Sequence, residues 1–109
     1  MPRKIQSPFS KQTYQRNARF YKVMANAKRL EILNLLARHE LTVSQLVKIM
    51  GLKKANISQH LAILLELNTV KVHRSGKNAF YSITNKKIVT PCKILNRLWE
   101  QQSAKEIPQ

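Results

Sequence analysis

Thr42-Val43-Ser44-Gln45 has the spacing of a capping box, in which the threonine hydroxyl accepts from the amide three residues on and the glutamine side chain reaches back. Leu41 before the cap and Leu46 four residues into the helix are placed to form the hydrophobic staple that fixes the entry of the chain. The helix begun here is short, because Gly51 can take the left-handed conformation that stops it, and Val43, Leu46, Val47 and Met50 make its apolar face. After a three-residue turn the helical period resumes from about Lys53 to Leu67, burying Ile57, Leu61, Leu64 and Leu65. Asn68 stands where this second helix must end, and Asn tolerates the left-handed conformation better than most residues. Two short helices locked across a tight turn form a helix-turn-helix, and the rest of the chain must pack around that corner.

Beyond it, Val70 and Val72 alternate with Lys71 and His73, Arg74-Ser75-Gly76-Lys77-Asn78 reads as a turn, and Ala79, Tyr81 and Ile83 alternate again. A two-stranded hairpin is predicted, and since such a ribbon is marginal alone it must lean on the helices. Upstream, Ser10 can cap a helix from Lys11 to about Met24, with Tyr14, Ala18, Phe20 and Tyr21 at helical spacing, and Asn26 can cap another from Ala27 to Arg38. Leu30, Leu33 and Ala37 stripe that second helix while Ile32, Leu35 and Leu36 cover its other sides, which places it centrally in the core. Downstream, Lys86 to about Gln102 carries Ile88, Cys92, Leu95, Leu98 and Trp99 in helical register. Pro91 interrupts it, so the segment either kinks or begins its helix at Thr90. The predicted fold is mainly α with a small β-hairpin: a winged helix-turn-helix of about five helices and a two-stranded wing. It spans residues 10–102 between a flexible basic arm, residues 1–9, and a frayed tail, residues 103–109.

Charge indicates the partner. The 109 residues include 20 Lys and Arg against 5 acidic residues, all Glu, for a net charge of +15, which favours a polyanion. At 43% hydrophobic residues the chain is no disordered basic tail. Asn56, Gln59 and His60 are read as lying on the face opposite Ile57, Leu61 and Leu64, where amide and imidazole groups suit base edges in a DNA major groove. With Ala55 near enough to touch a thymine methyl, these four are the expected base contacts. Lys53, Lys54, Ser58, Thr42 and Ser44, and Arg74, Lys77 and Asn78 at the wing tip, are expected to hold phosphates. For about half of the lysines simple solvation is an equal reading, and for His60 a surface histidine without a partner is the alternative.

No apolar run reaches membrane length, and the N-terminus lacks the continuous apolar stretch of a secretory signal. One cysteine cannot make an intramolecular disulfide, so a reducing, cytoplasmic compartment is expected. The segment before Glu31 is basic and acid-free like an organellar transit peptide, but Pro2 and Pro8 spoil a continuous amphipathic helix, which favours a basic arm.

Several linked segments resemble the ArsR/SmtB family of bacterial winged-helix repressors. Met24-Ala25-Asn26-Ala27-Lys28-Arg29-Leu30-Glu31-Ile32-Leu33 is similar to the family's opening "LadptRlrIL", Ile57-Ser58-Gln59-His60-Leu61-Ala62-Ile63-Leu64 to its "vSqHLkvL" recognition helix, and Arg74 to Ile83 to its wing. The resemblance covers roughly residues 14 to 100. It implies a homodimer whose first and last helices pair and present two recognition helices to a pseudo-palindromic operator on double-stranded DNA. Tyr14, Phe20, Cys92, Leu95, Leu98 and Trp99 are the expected dimer contacts, being more apolar surface than so small a monomer easily hides.

Many such proteins release DNA on binding a metal or on thiol oxidation. Where arsenic-sensing members carry cysteines, this chain has Thr42 and Ser44, poor ligands for a soft ion. Its last helix offers only Glu100 and no histidine, while His39, His60 and His73 show no metal-ligand spacing, so no metal or other cofactor is expected. Cys92 matches a redox position but lacks an intramolecular partner. It reads as a small buried hydrophobe near the dimer seam, with oxidation against its dimer mate as the sharper alternative. No Asp, five scattered Glu and no His paired with a nucleophile argue against an enzyme, and no small-molecule substrate is evident. The expected function is a dimeric, sequence-specific DNA-binding transcriptional regulator acting as a repressor. The alternative is an architectural or RNA-binding winged helix that uses charge without reading sequence, and a third option is a protein-interaction module needing an acidic partner.

Overall fold

A computed structural model describes residues 4–105. Helix α1 spans Lys11–Met24 and α2 spans Ala27–Arg38; α3 (Val43–Met50) and α4 (Lys54–Glu66) form the corner, and β1 (Val70–Ser75) and β2 (Asn78–Ile83) the hairpin. A 3₁₀ turn at Lys86–Val89 leads into α5, Thr90–Lys105. This is a winged helix-turn-helix, with five α-helices and one two-stranded antiparallel sheet among the described residues.

The helix starts follow their caps. Ser10 Oγ accepts from the Thr13 amide at 3.1 Å and Asn26 Oδ1 from the Arg29 amide at 3.0 Å. At Thr42 both halves of the capping box form, Gln45 N to Thr42 Oγ1 at 3.2 Å and Thr42 N to Gln45 Oε1 at 2.8 Å. Gly51 ends α3 at φ 66°, and Asn68 takes φ 60° where the chain leaves α4 for the hairpin. Pro91 lies in the first turn of α5, where its missing N–H has no intrahelical acceptor to lose. Of the two sequence-level alternatives, the helix beginning at Thr90 is the one found.

The core gathers around α2. Ile32 and Leu33 of α2, Leu46 of α3, and Ile57, Leu61 and Leu64 of α4 have almost no exposed surface, and Leu36, Leu41, Val70, Ile83 and Val89 close it. Leu30, Leu35 and Ala37 are only partly buried, so the buried face of α2 is the Ile32, Leu33, Leu36 side. Both staple residues, Leu41 and Leu46, are buried. Leu46→Ala is expected to destabilise the fold by about 2–5 kcal/mol and Thr42→Ala by about 1 kcal/mol, read from urea midpoints. A wild-type midpoint for Leu46→Ala would mean that the staple does not hold the corner.

The hairpin pairs Val70 with Ile83 through Ser75 with Asn78, leaving Gly76 and Lys77 as a two-residue loop with Gly76 at φ 63°. The turn is thus tighter than the five residues from Arg74 to Asn78. Leu41 adds a bridge to β2, its N–H donating to Tyr81 O at 3.0 Å and accepting back at 2.8 Å through its carbonyl. That bridge ties the wing to the corner, and Ser82 and Ile83 beyond Tyr81 are buried. Val72, which alternates with Lys71 and His73 in sequence, is 43% exposed although it pairs with Tyr81, the residue that carries the bridge.

At the chain ends, Ser7 Oγ donates to Tyr14 Oη at 2.8 Å and the Phe9 ring meets Tyr14 edge-on at 5.8 Å, so residues 7–9 rest on α1. Met1–Arg3 of the expected arm lie outside the described residues. So do residues 106–109 of the expected tail, while α5 continues to Lys105, past the anticipated boundary at 102.

Candidate nucleic-acid interface

Helix α4 separates its chemistry by face. Ile57, Leu61 and Leu64 point into the core; Lys53, Lys54, Ala55, Asn56, Ser58, Gln59 and Ala62 are exposed. Asn56 and Gln59, three residues apart, share the outer surface, and their side-chain amides are free of internal hydrogen bonds among the described residues. No residue of the first turn is acidic. Ser44 is exposed on α3, whereas the Thr42 hydroxyl is engaged in the capping box and is only half-exposed. Arg74, Lys77 and Asn78 are exposed at the wing tip.

His60 departs from the expected arrangement. It stands about 60° round the helix from Ile57, on the shoulder of the core rather than opposite it. Its ring is half-buried, with Nδ1 shielded from solvent and lacking a hydrogen-bond partner. Burial, reinforced by Arg29 and Lys28 at the start of α2, pushes its pKa below the ordinary value. The imidazole therefore stays neutral where an exposed histidine would already be partly charged. Sequence reasoning missed these two α2 cations beside the helix. Only the packing of α2 against α4 reveals them, since no local spacing joins residues 28–29 to residue 60. Arg29 is fixed there by its Nε donating to Val23 O at 2.8 Å.

A stability consequence follows from the sign of that shift. In the unfolded chain His60 recovers its usual affinity for protons, so below about pH 6.5 the unfolded state binds more of them. His60's contribution is complete above that value and is lost as pH falls toward the depressed folded pKa. The urea midpoint of wild type should drop more between pH 7.5 and 5.5 than that of His60→Gln; parallel profiles would remove His60 as the cause.

Among the described residues no three His, Cys, Asp or Glu side chains gather to hold an ion. Thr42 is committed to its cap, and Glu100 accepts from Asn96 Nδ2 at 3.1 Å. Cys92 is a free, half-buried thiol lining an apolar cavity of about 230 Å³ between α1, α2 and α5, with Phe20, Met24, Leu33 and Leu95 among its walls. Outside the core, Tyr14 and Tyr21 of α1 and Ile94, Leu95, Leu98 and Trp99 of α5 are each more than two-fifths exposed. Phe20 is instead half-buried against the core. No described helix is long and apolar enough to cross a membrane.

A glycine-stopped corner, a second helix with its amides turned outward and a hairpin wing anchored on that corner define a DNA-binding transcriptional regulator of the winged helix-turn-helix class. The family model for bacterial regulatory proteins of the arsR family matches residues 26–72, from α2 into β1. The transcriptional repressor PagR of Bacillus anthracis is 37% identical over 81 residues, 73% of this chain and 81% of that protein. The transcriptional activator HlyU of Vibrio cholerae is 34% identical over 80 residues, 73% of this chain and 74% of the relative. Among solved structures, NolR from Sinorhizobium fredii superposes with a TM-score of 0.73 at 30% identity, covering 86% of this chain and 97% of that one. The chain belongs to the arsR family of bacterial regulatory proteins. It is a regulator and not an enzyme.

Proposed function

We propose that the protein is a homodimeric repressor that reads a pseudo-palindromic operator in double-stranded DNA, with the outer face of α4 in the major groove. The observation that carries this reading is the exposure of Asn56 and Gln59 on the helix whose other side is wholly core. Phosphate binding alone has no use for unpaired amides, whereas Asn or Gln pairs with adenine through N6 and N7. Asn56 and Gln59, with Ala55, read bases. Lys53, Lys54, Ser58, Ser44, Arg74, Lys77 and Asn78 hold phosphates, and Thr42 acts chiefly through its cap. His60 is better suited to set the seat of α4 against α2 than to read a base, since its Nδ1 is shielded.

Shape supports the dimer. The chain exposes 9038 Å², where a compact monomer of its mass would expose about 6,200 Å². Its radius of gyration is 18.0 Å against about 13 Å for a compact domain of this length. α1 and α5 carry the exposed apolar residues named above, which, with Cys92 and Phe20 beneath them, offer a surface for a second copy. A dimer this small represses by covering a promoter, which needs no further activity.

Net charge alone would equally serve an architectural or RNA-binding role, so competition separates the readings. At physiological salt, a specific complex with a dissociation constant of about 10⁻⁸ to 10⁻¹¹ M should survive excess unrelated duplex and RNA. Equal displacement of all complexes by either competitor would favour charge without reading.

A further inference from the structure

A second group of cations lies on elements other than α4. Arg38 closes α2, Lys86 opens the 3₁₀ turn, Lys93 lies on α5, and Lys71 lies on β1 directly across the ladder from Ser82. Two adjoining depressions bring these together. One, of about 320 Å³, is walled by Arg38, Lys86 and Lys93; the other, of about 250 Å³, by Arg38, Lys86, Lys71 and Ser82. Arg38 and Lys86 are shared by both.

Among the described residues none of the four cations has a carboxylate within ion-pair distance. Glu40, the one acid at the rim of this groove, is 56% exposed and has its Oε2 3.6 Å from His73 Nδ1, so the anion meets four cations and a single carboxylate there. Ser82 is 8% exposed, and its hydroxyl has no hydrogen-bond partner among the described residues. A buried donor without an acceptor is costly, and so are like charges gathered around one groove. An oxyanion relieves both.

We propose that this groove binds a small phosphate-bearing anion, with Arg38, Lys86, Lys71 and Lys93 neutralising its charge and Ser82 supplying a hydrogen bond at the floor. The site is independent of the operator reading. Arg38 ends α2 about 14 Å along the helix axis from the turn that carries Lys28 and Arg29 beside α4. It joins the end of α2, the base of the wing and the start of α5, three elements whose relative placement sets how two wings and two reading helices face DNA.

Calorimetric titration of pyrophosphate into the full chain at physiological salt tests it. One saturable event per chain is expected, weakened about tenfold or more by Arg38→Gln with Lys86→Gln. Lys11→Gln with Arg16→Gln, which removes the same charge from exposed positions of α1, should leave it unchanged, and Ser82→Ala should weaken it with the fold retained by circular dichroism. Equal weakening by both double variants, or no saturable event, would reduce the site to diffuse attraction and overturn the proposal. Release of bound pyrophosphate by duplex DNA would also overturn it, by making the groove part of the nucleic-acid surface.

Discussion

An Asn56→Ala, Gln59→Ala double variant is expected to lose specific DNA binding while retaining most of its non-specific affinity. Both side chains stand on the exposed face of α4, and truncating them removes no buried contact, so stability should stay within about 0.5 kcal/mol of wild type. Each bidentate pairing with a base discriminates by about 1–3 kcal/mol, so the pair together accounts for about 2–6 kcal/mol of preference. Non-specific affinity depends instead on the number of phosphates neutralised, and the steep fall of binding with salt should be unchanged, because no cation has been removed. Titrating variant and wild type against one specific and one scrambled duplex across salt concentrations reads all three quantities. Equal loss on both duplexes would transfer Asn56 and Gln59 from reading to positioning.

The second large effect is expected from Leu95→Glu combined with Trp99→Glu. These side chains are 46% and 57% exposed on α5 in the single chain, so the substitutions spare the core formed by α2, α3 and α4. Four carboxylates facing one another across a two-fold seam cannot be hidden, and the dimer should dissociate. With one reading helix per molecule the second half-site no longer binds intramolecularly, a loss of about 10²- to 10⁴-fold in operator affinity. Sedimentation velocity should show a monomer with the helical circular dichroism of the core retained. A variant that sediments as a dimer would place the seam elsewhere than α5.

Local rules made most of this molecule legible before its coordinates. The starts of α1, α2 and α3 lie at Ser10, Asn26 and Thr42 because each cap is a contact between residues three apart. Gly51 and Asn68 mark chain reversals for an equally local reason, since few other residues tolerate positive φ. Contacts between distant segments were not legible. The bridge from Leu41 to Tyr81 joins residues forty positions apart through backbone groups that carry no sequence signature. His60 was misplaced for a related reason. A polar residue beside an expected base contact suggests an outward face, but the helical period puts it on the core's shoulder, and only the packing of α2 supplies Lys28 and Arg29 as its neighbours. The exposed character of Asn56 and Gln59 depends on that same period and needed nothing more.

Sequencing the fragments of host genomic DNA that the purified protein retains at physiological salt tests the central claim most directly. The account predicts one enriched pseudo-palindrome whose half-sites lie about one helical turn apart, absent when the Asn56→Ala, Gln59→Ala variant is used. Retention of fragments without a common sequence, equal for both proteins, would contradict it.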